Sequence, residues 1–99
     1  MAYSPRWRNK MTDKFFQAVL ALDNIDECYR FFEDVATINE IQSLSQRFKV
    51  ASMLDEGFIY DDIVKQTGAS SATISRVKKS LNYGADGYQL ILKKLKTNK

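Results

Sequence analysis

The sequence predicts an all-α subunit built from six helices, and three observations lead to this fold class. Apolar residues recur at spacings of three and four in several segments, which is typical of helices that bury one face. Residues that favour helix ends, such as Thr37 with Glu40 and the later Gly57, separate these segments. No segment has the pattern of a convincing strand.

The first two predicted helices follow polar residues that can cap a helix start. The first covers residues 12–22, with Thr12 as a possible cap and apolar residues at helical spacing behind it. The second begins near residue 25, because Asn24 is a favourable cap and Glu27 follows three positions later.

The third predicted helix begins near residue 38 and is long. The run Thr37-Ile38-Asn39-Glu40 matches the capping box, in which hydroxyl and carboxylate satisfy each other's free backbone N–H groups. Neither Gly nor Pro interrupts the pattern before Gly57. The expected inward stripe comprises Ile38, Ile41, Leu44, Phe48, Ala51 and Leu54.

The fourth and fifth predicted helices are shorter and lie close together. Residues 60–67 form the fourth, with Ile63 and Val64 facing inward, and Gly68-Ala69-Ser70 interrupts the pattern. Residues 71–81 form the fifth. Its expected cap is Ser70, and its inward stripe is Ile74, Val77 and Leu81.

The sixth predicted helix follows Asp86 as its cap, and its apolar residues are Tyr88, Ile91, Leu92 and Leu95. We expect a single domain over residues 12–96, a flexible N-terminal arm at residues 1–11 and a loose C-terminus at residues 97–99. The arm contains Arg6, Arg8 and Lys10 around Trp7, so it could touch DNA, although a solubilising tail is the interpretation we favour.

Composition argues against enzyme chemistry. The chain has no histidine and one cysteine, which excludes internal disulfides and histidine-based catalysis and leaves no ligand set for zinc. Cys28 lies in an apolar-rich segment, and we interpret it as a buried, inert thiol. We therefore expect a binding protein without enzymatic activity, cofactor or metal. With no membrane-spanning run and no secretion signal in view, the expected location is cytoplasmic.

Charge is distributed unevenly along the chain. Residues 1–14 hold four basic and one acidic side chain, a net charge of +3. Residues 15–62 hold three basic and ten acidic side chains, a net charge of −7, and residues 63–99 hold eight basic and one acidic, a net charge of +7. This asymmetry indicates that one face meets a polyanion, although a solvated lysine face is the alternative.

A short helix, a turn with glycine and a second helix are the parts of a helix-turn-helix. The second helix of this motif enters the major groove by its N-terminal end, where small side chains permit close approach to the bases. Cationic residues one turn later can contact phosphates. A serine run that merely caps a helix is the alternative interpretation. The predicted DNA-binding residues are Ser70, Ser71, Ala72, Thr73, Ser75, Arg76, Lys78 and Lys79.

Two runs of sequence, ECYRFFEDVATINEIQSLSQRFKVASMLDEG and TGASSATISRVKKSLNYGADGY, resemble the bacterial Trp-repressor-related proteins of the YerC/YecD type, within the tryptophan repressor superfamily. The resemblance covers about residues 12–90. It implies a six-helix, Trp-repressor-like subunit with a helix-turn-helix that forms an interwoven homodimer. Apolar residues on more than one face of residues 15–54 independently favour the dimer over a compact monomeric bundle.

The resemblance also implies a candidate effector pocket at Thr37, Lys49, Arg76, Val77 and Ser80. In the tryptophan repressor, two arginines sandwich the indole, a glycine leaves room for the ring, and a threonine and a serine complete the pocket. Thr37, Arg76 and Ser80 match this pattern. Lys49 stands where a stacking arginine is expected, and the branched Val77 stands where the glycine is expected. We therefore expect that tryptophan is not the effector, and any small-molecule effector is unknown.

These inferences favour a sequence-specific DNA-binding transcriptional regulator, a repressor, that binds the major groove of double-stranded DNA as a homodimer through residues 71–81. Two alternatives use the same scaffold. One is a protein-interaction module, and the other is a small-molecule sensor that does not bind DNA.

Overall fold

The computed structural model describes residues 3–97, and this part of the chain contains six α-helices and no strand. The predicted all-α class is confirmed. The chain divides after Ile38 into two compact units, which we call the N-terminal unit and the C-terminal unit. The single domain expected over residues 12–96 stays a prediction. The helices are α1 (Lys10–Leu20), α2 (Ile25–Val35), α3 (Ile38–Asp55), α4 (Tyr60–Thr67), α5 (Ser71–Tyr83) and α6 (Gly87–Thr97).

Helix α1 begins two residues before its predicted start. Asn9 is the N-cap, since its side chain accepts a hydrogen bond from the Thr12 N–H at 2.8 Å. The Thr12 hydroxyl in turn accepts a hydrogen bond from the Asn9 N–H at 2.9 Å. Thr12 therefore closes a capping box. The prediction that Thr12 itself caps the helix was wrong. The predicted starts of α2 and α3 near residues 25 and 38 are correct.

Helices α1 and α2 contact each other through phenylalanines. The ring of Phe15 lies 5.6 Å from that of Phe16, 5.8 Å from that of Phe31 and 6.4 Å from that of Phe32, measured between centroids. Such tilted and offset pairs are favourable ring geometries. Yet no side chain of α1 or α2 is buried.

Cys28 is exposed, so the prediction of a buried thiol was wrong for the single chain. Ile25, three residues before Cys28, and the adjacent Tyr29 are exposed as well. The apolar character of the segment therefore does not bury it within one subunit.

The described part of the N-terminal arm folds back toward α1. The Arg8 side chain donates from Nε to Asp13 Oδ1 at 2.9 Å and from a terminal nitrogen to the Tyr3 carbonyl at 2.9 Å. The Trp7 ring lies 6.5 Å from that of Phe16. Residues 10–11 of the predicted arm belong to α1, and residues 1–2 lie outside the described part. The flexibility of the arm stays a prediction.

The buried core of the C-terminal unit joins four elements: α3, α4, the following turn and α5. Among the described residues, it comprises Val50, Ala51, Met53, Ile63, Ala69, Ile74 and Val77, with Leu54 and Tyr88 packed against it. Leu81 and Leu92 are also buried. The inward stripe predicted for α5 is therefore confirmed.

Some predicted inward positions are exposed. Val64 is exposed, and Ile63 is the one buried residue in the two turns of α4. In α3, Ile38 and Leu44 are exposed, and the helix packs instead through its C-terminal half, where Val50 and Met53 are buried. Apolar residues lie on two sides of α3, so spacing alone selected the wrong side over part of its length.

Helix α6 buries less than its apolar pattern indicated. Ile91 and Leu95 are about half exposed, whereas Leu92 is buried. Asp86 precedes the helix with a positive φ of 66°, and its carbonyl accepts a hydrogen bond from the Leu90 N–H. Thr97, expected to be loose, is the last residue of α6, and residues 98–99 lie outside the described part. No helix within residues 3–97 combines the length and the apolar character needed to cross a membrane.

Candidate nucleic-acid interface

The turn between α4 and α5 begins at Gly68, which ends α4 in the left-handed conformation with φ of 71°. Its N–H donates to the Val64 carbonyl at 2.8 Å. Glycine adopts this backbone region without steric cost, so it is the usual residue at such a helix end. The predicted helix, turn and helix are thus present at residues 60–83.

Side chains also fix the turn to α3. The Thr67 hydroxyl donates to the Ile63 carbonyl at 2.7 Å and accepts from the N–H of the buried Ala69 at 3.1 Å. The Gln46 amide of α3 donates to the Thr67 carbonyl at 3.0 Å. These bonds satisfy the polar groups at the end of α4 and hold α3 against the turn.

The start of α5 is capped as predicted. The Ser70 hydroxyl accepts a hydrogen bond from the Thr73 N–H at 3.1 Å and lies 3.1 Å from the Thr73 hydroxyl, to which it donates. Both residues were predicted to contact DNA, and both have a capping role here. Ser71, Ala72 and Ser75 are exposed.

The exposed face of α5 combines small and cationic residues. Ala72, Ser75, Arg76 and Lys79 are all exposed and follow at spacings of three, four and seven residues, so they share one helix face. This face points away from the core, because the buried stripe of α5 occupies the other side. Within residues 3–97, no carboxylate forms an ion pair with either cation of this face.

Two other lysines of the basic C-terminal third have intramolecular contacts. Lys78 Nζ lies 5.7 Å from the centroid of the Tyr60 ring, at the start of α4. Lys96 Nζ lies 2.7 Å from Asp55 Oδ2, which links α6 to the end of α3. That hydrogen bond and the charge of Asp55 raise the pKa of Lys96 above its ordinary value. The net charge of +7 for residues 63–99 therefore overstates the number of cations that have no intramolecular contact.

The predicted effector residues are distributed over both units, with Thr37 in the N-terminal unit and the other four in the C-terminal unit. Val77 is 2% exposed and belongs to the buried core, whereas Lys49 and Arg76 are exposed. Ser80 lies at a cleft of about 480 Å³ that Phe48, Tyr88 and Ile91 also line.

Sequence comparison with the superfamily pocket overlooked Arg47. It precedes the core residues Val50 and Ala51 by three and four positions, so it lies on the face of α3 that packs on the helix-turn-helix. Lys49 is displaced from this face. A helical-wheel projection of α3 would have drawn attention to Arg47 as the candidate for a stacking guanidinium.

Comparison with known proteins gives the family. The family model described as Trp repressor protein matches residues 10–96. The chain belongs to the Trp repressor family. This is a family of DNA-binding regulators, not of enzymes.

Relatives of this Trp repressor family member come from several bacteria. It is 56% identical over 89 residues to the uncharacterized protein YerC of Bacillus subtilis, covering 90% of this chain and 86% of that one. A crystal structure of a putative Trp repressor from Staphylococcus aureus has 52% identity and a TM-score of 0.87, covering 90% of this chain and 89% of that one. A TrpR-like protein from Eubacterium eligens has 58% identity and a TM-score of 0.87, covering 89% and 91%. The expected Trp-repressor-like fold is confirmed.

Proposed function

We propose that this protein is a sequence-specific transcriptional regulator, a repressor, that binds double-stranded DNA in the cytoplasm through the exposed face of α5. The observation that carries the proposal is the arrangement of that face. Small side chains surround the capped start of the helix, and Arg76 and Lys79 follow one and two turns later without ion-pair partners among residues 3–97. Steric obstruction of a promoter by the bound protein would be the mechanism of repression.

The two kinds of residue have different tasks in this proposal. Ser71, Ala72 and Ser75 are short enough to let the helix start approach the base edges, and their replacement changes which sequence is preferred. Arg76 and Lys79 contact phosphates, which supply affinity that does not depend on sequence. The contacts of Gln46, Thr67 and Gly68 described above keep α5 in a fixed orientation, which precise docking in a groove requires.

Lys79→Ala tests the proposal. The variant is expected to bind every duplex more weakly and to lower the slope of log affinity against log salt by about 1.8, because the dimer loses two phosphate contacts, one from each subunit. Ala72→Ser, by contrast, should alter the order of preferred sequences and leave the slope unchanged. Fluorescence anisotropy with labelled genomic duplexes at several salt concentrations measures both quantities.

Two results would contradict this assignment. One is a wild-type protein that retains no duplex at low salt but copurifies with another regulator, as a protein-interaction module would. The other is a Lys79→Ala variant with the slope of the wild type, which would remove this lysine from the phosphate contacts.

The active species in this proposal is a homodimer. Large apolar side chains in the N-terminal unit are exposed, and Leu20 is 83% exposed at the end of α1. Where exposed apolar side chains form a large patch, the patch commonly marks an interaction site. Two copies of α5 related by a two-fold axis would contact successive major grooves about 34 Å apart.

Light scattering after size-exclusion chromatography is expected to give twice the 11.4 kDa mass of the chain. Leu20→Glu should shift the protein toward the monomer, because a charge cannot be buried in an apolar interface without a large cost. Gln17→Glu adds the same charge at an exposed polar position of α1 and serves as the control. A wild-type protein with the mass of one chain at micromolar concentration would rule out the dimer.

Tryptophan is not the effector in this proposal. Val77 is the residue that excludes the indole, because Arg47 provides a guanidinium on the face of α3 that packs on the helix-turn-helix, from which Lys49 is displaced. The Val77 side chain fills space within the packed core, where the indole of the superfamily repressor needs a glycine. Calorimetry is expected to detect no binding of L-tryptophan, and a micromolar dissociation constant would overturn this part of the proposal.

A further inference from the structure

We infer that Tyr60 is a positioning residue for DNA binding: its ring holds the Lys78 ammonium beside the start of α4, where it contacts a backbone phosphate. This inference rests on the DNA-binding function proposed above. It adds a residue of the first helix of the motif to an interface that the sequence placed entirely on α5 and its cap.

The contact itself is a cation–π interaction. Lys78 Nζ lies 5.7 Å from the centroid of the Tyr60 ring, and favourable contacts of this kind occur within about 6 Å. Tyr60 is 37% exposed, so it is partly covered by the protein and partly open to solvent. The ammonium remains accessible, because Lys78 is exposed as well.

The place of Lys78 on α5 explains why it needs support. It follows the buried Ile74 by four residues and precedes the buried Leu81 by three, so it lies on the flank of the helix and not on its exposed face. A lysine on this flank can adopt many rotamers that point away from DNA. The Tyr60 ring restricts these rotamers, which lowers the entropy that is lost when the ammonium contacts a phosphate.

Charge around the start of α4 points to a phosphate as the partner of this lysine. The first helix of a helix-turn-helix crosses the DNA backbone, yet α4 begins with Asp61 and Asp62 in its first turn. These carboxylates are stabilised by the helix dipole, but they repel a phosphate. Tyr60 directly precedes these two carboxylates, and its ring holds Lys78 nearby. The ammonium supplies local positive charge that offsets the two carboxylates.

A double-mutant cycle tests the inference with the full-length protein. The probe is a fluorescein-labelled duplex that the wild-type protein retains at low salt, and the measurement is anisotropy. For each subunit that contacts the duplex, Tyr60→Leu is expected to weaken binding about two- to fivefold, which is the range of an exposed cation–π contact. In the Lys78→Ala background, Tyr60→Leu should have no further effect, because the cation that the ring positions is absent.

Tyr60→Phe is the conservative variant. It keeps the ring face and is expected to retain the affinity of the wild type, which a role for the hydroxyl would not allow. Tyr83→Leu makes the same change at another exposed tyrosine, at the end of α5, and should leave the affinity unchanged. If thermal unfolding shows that the leucine variant is destabilised, Tyr60→Met takes its place. The expected loss of affinity for the duplex is the same.

Three outcomes would overturn the inference. Equal losses for Tyr60→Leu in the presence and absence of Lys78 would show that the two residues act separately. A loss for Tyr60→Phe as large as that for Tyr60→Leu would assign the effect to the hydroxyl. A wild-type protein that binds no duplex would overturn the proposed function together with this inference, whereas the first two outcomes overturn the inference alone.

Discussion

Replacement of Ile74 by alanine is expected to lower the free energy of unfolding of the C-terminal unit by about 2–5 kcal/mol. Ile74 is 0% exposed and packs in the cluster that joins α3, α4, the turn and α5. Its truncation removes buried apolar area and leaves a cavity between these elements. Because whole domains are stable by only about 5–15 kcal/mol, this is a large fraction of the total.

Denaturant unfolding followed by far-ultraviolet circular dichroism measures this change. Fluorescence is the less direct probe here, because Trp7 is the one tryptophan of the chain and lies in the N-terminal unit. Ser75→Ala is the matched control, since Ser75 is the next residue and is exposed, and its effect should stay within about 0.5 kcal/mol. Similar losses for both variants would show that the core is not centred on Ile74.

Ser71→Glu is expected to weaken DNA binding by about 10- to 100-fold without lowering the stability of the protein. Ser71 is the first residue of α5 and is exposed, and the cap is supplied by Ser70. A glutamate in the first turn is favoured by the helix dipole, so the fold is retained. Facing DNA, the same carboxylate meets negatively charged phosphates, and like charges in an interface cost several kcal/mol.

Anisotropy titrations and thermal unfolding, measured on the same preparation, separate these two effects. Ser71→Ala is the control, because it removes the hydroxyl without adding charge or bulk and should keep general affinity for DNA within about twofold. If Ser71→Glu bound DNA as tightly as the wild type, the start of α5 would not face the duplex. A loss of affinity with an equally large loss of stability would indicate misfolding.

Local signals in the sequence identified much of the helix-turn-helix. Gly68 marked the turn, Ser70 marked the next helix start, and Ile74 with Val77 gave its buried side, because each of these features depends on residues within a few positions. The predicted start of α1 was wrong because Thr12 is itself a favourable cap. Only the geometry shows that Asn9 is the N-cap.

Contacts between distant segments could not be predicted in the same way. Gln46 lies 21 residues from its partner Thr67, and Lys78 lies 18 residues after Tyr60, so no local pattern connects either pair. The exposure of Cys28 and Val64 has a similar origin. Apolar spacing indicates that a side chain favours burial, but the surrounding helices decide whether there is a surface to cover it.

The location of the core has a consequence for local opening of the native state. Every buried side chain within residues 3–97 lies at Val50 or later in the chain. Burial of whole side chains therefore stabilises only the segment from α3 to α6 against local opening. Segments with few buried apolar contacts open with low free energies and exchange their amide hydrogens quickly. In the isolated subunit, the amides of α1 and α2 would therefore exchange with deuterium before those of α5.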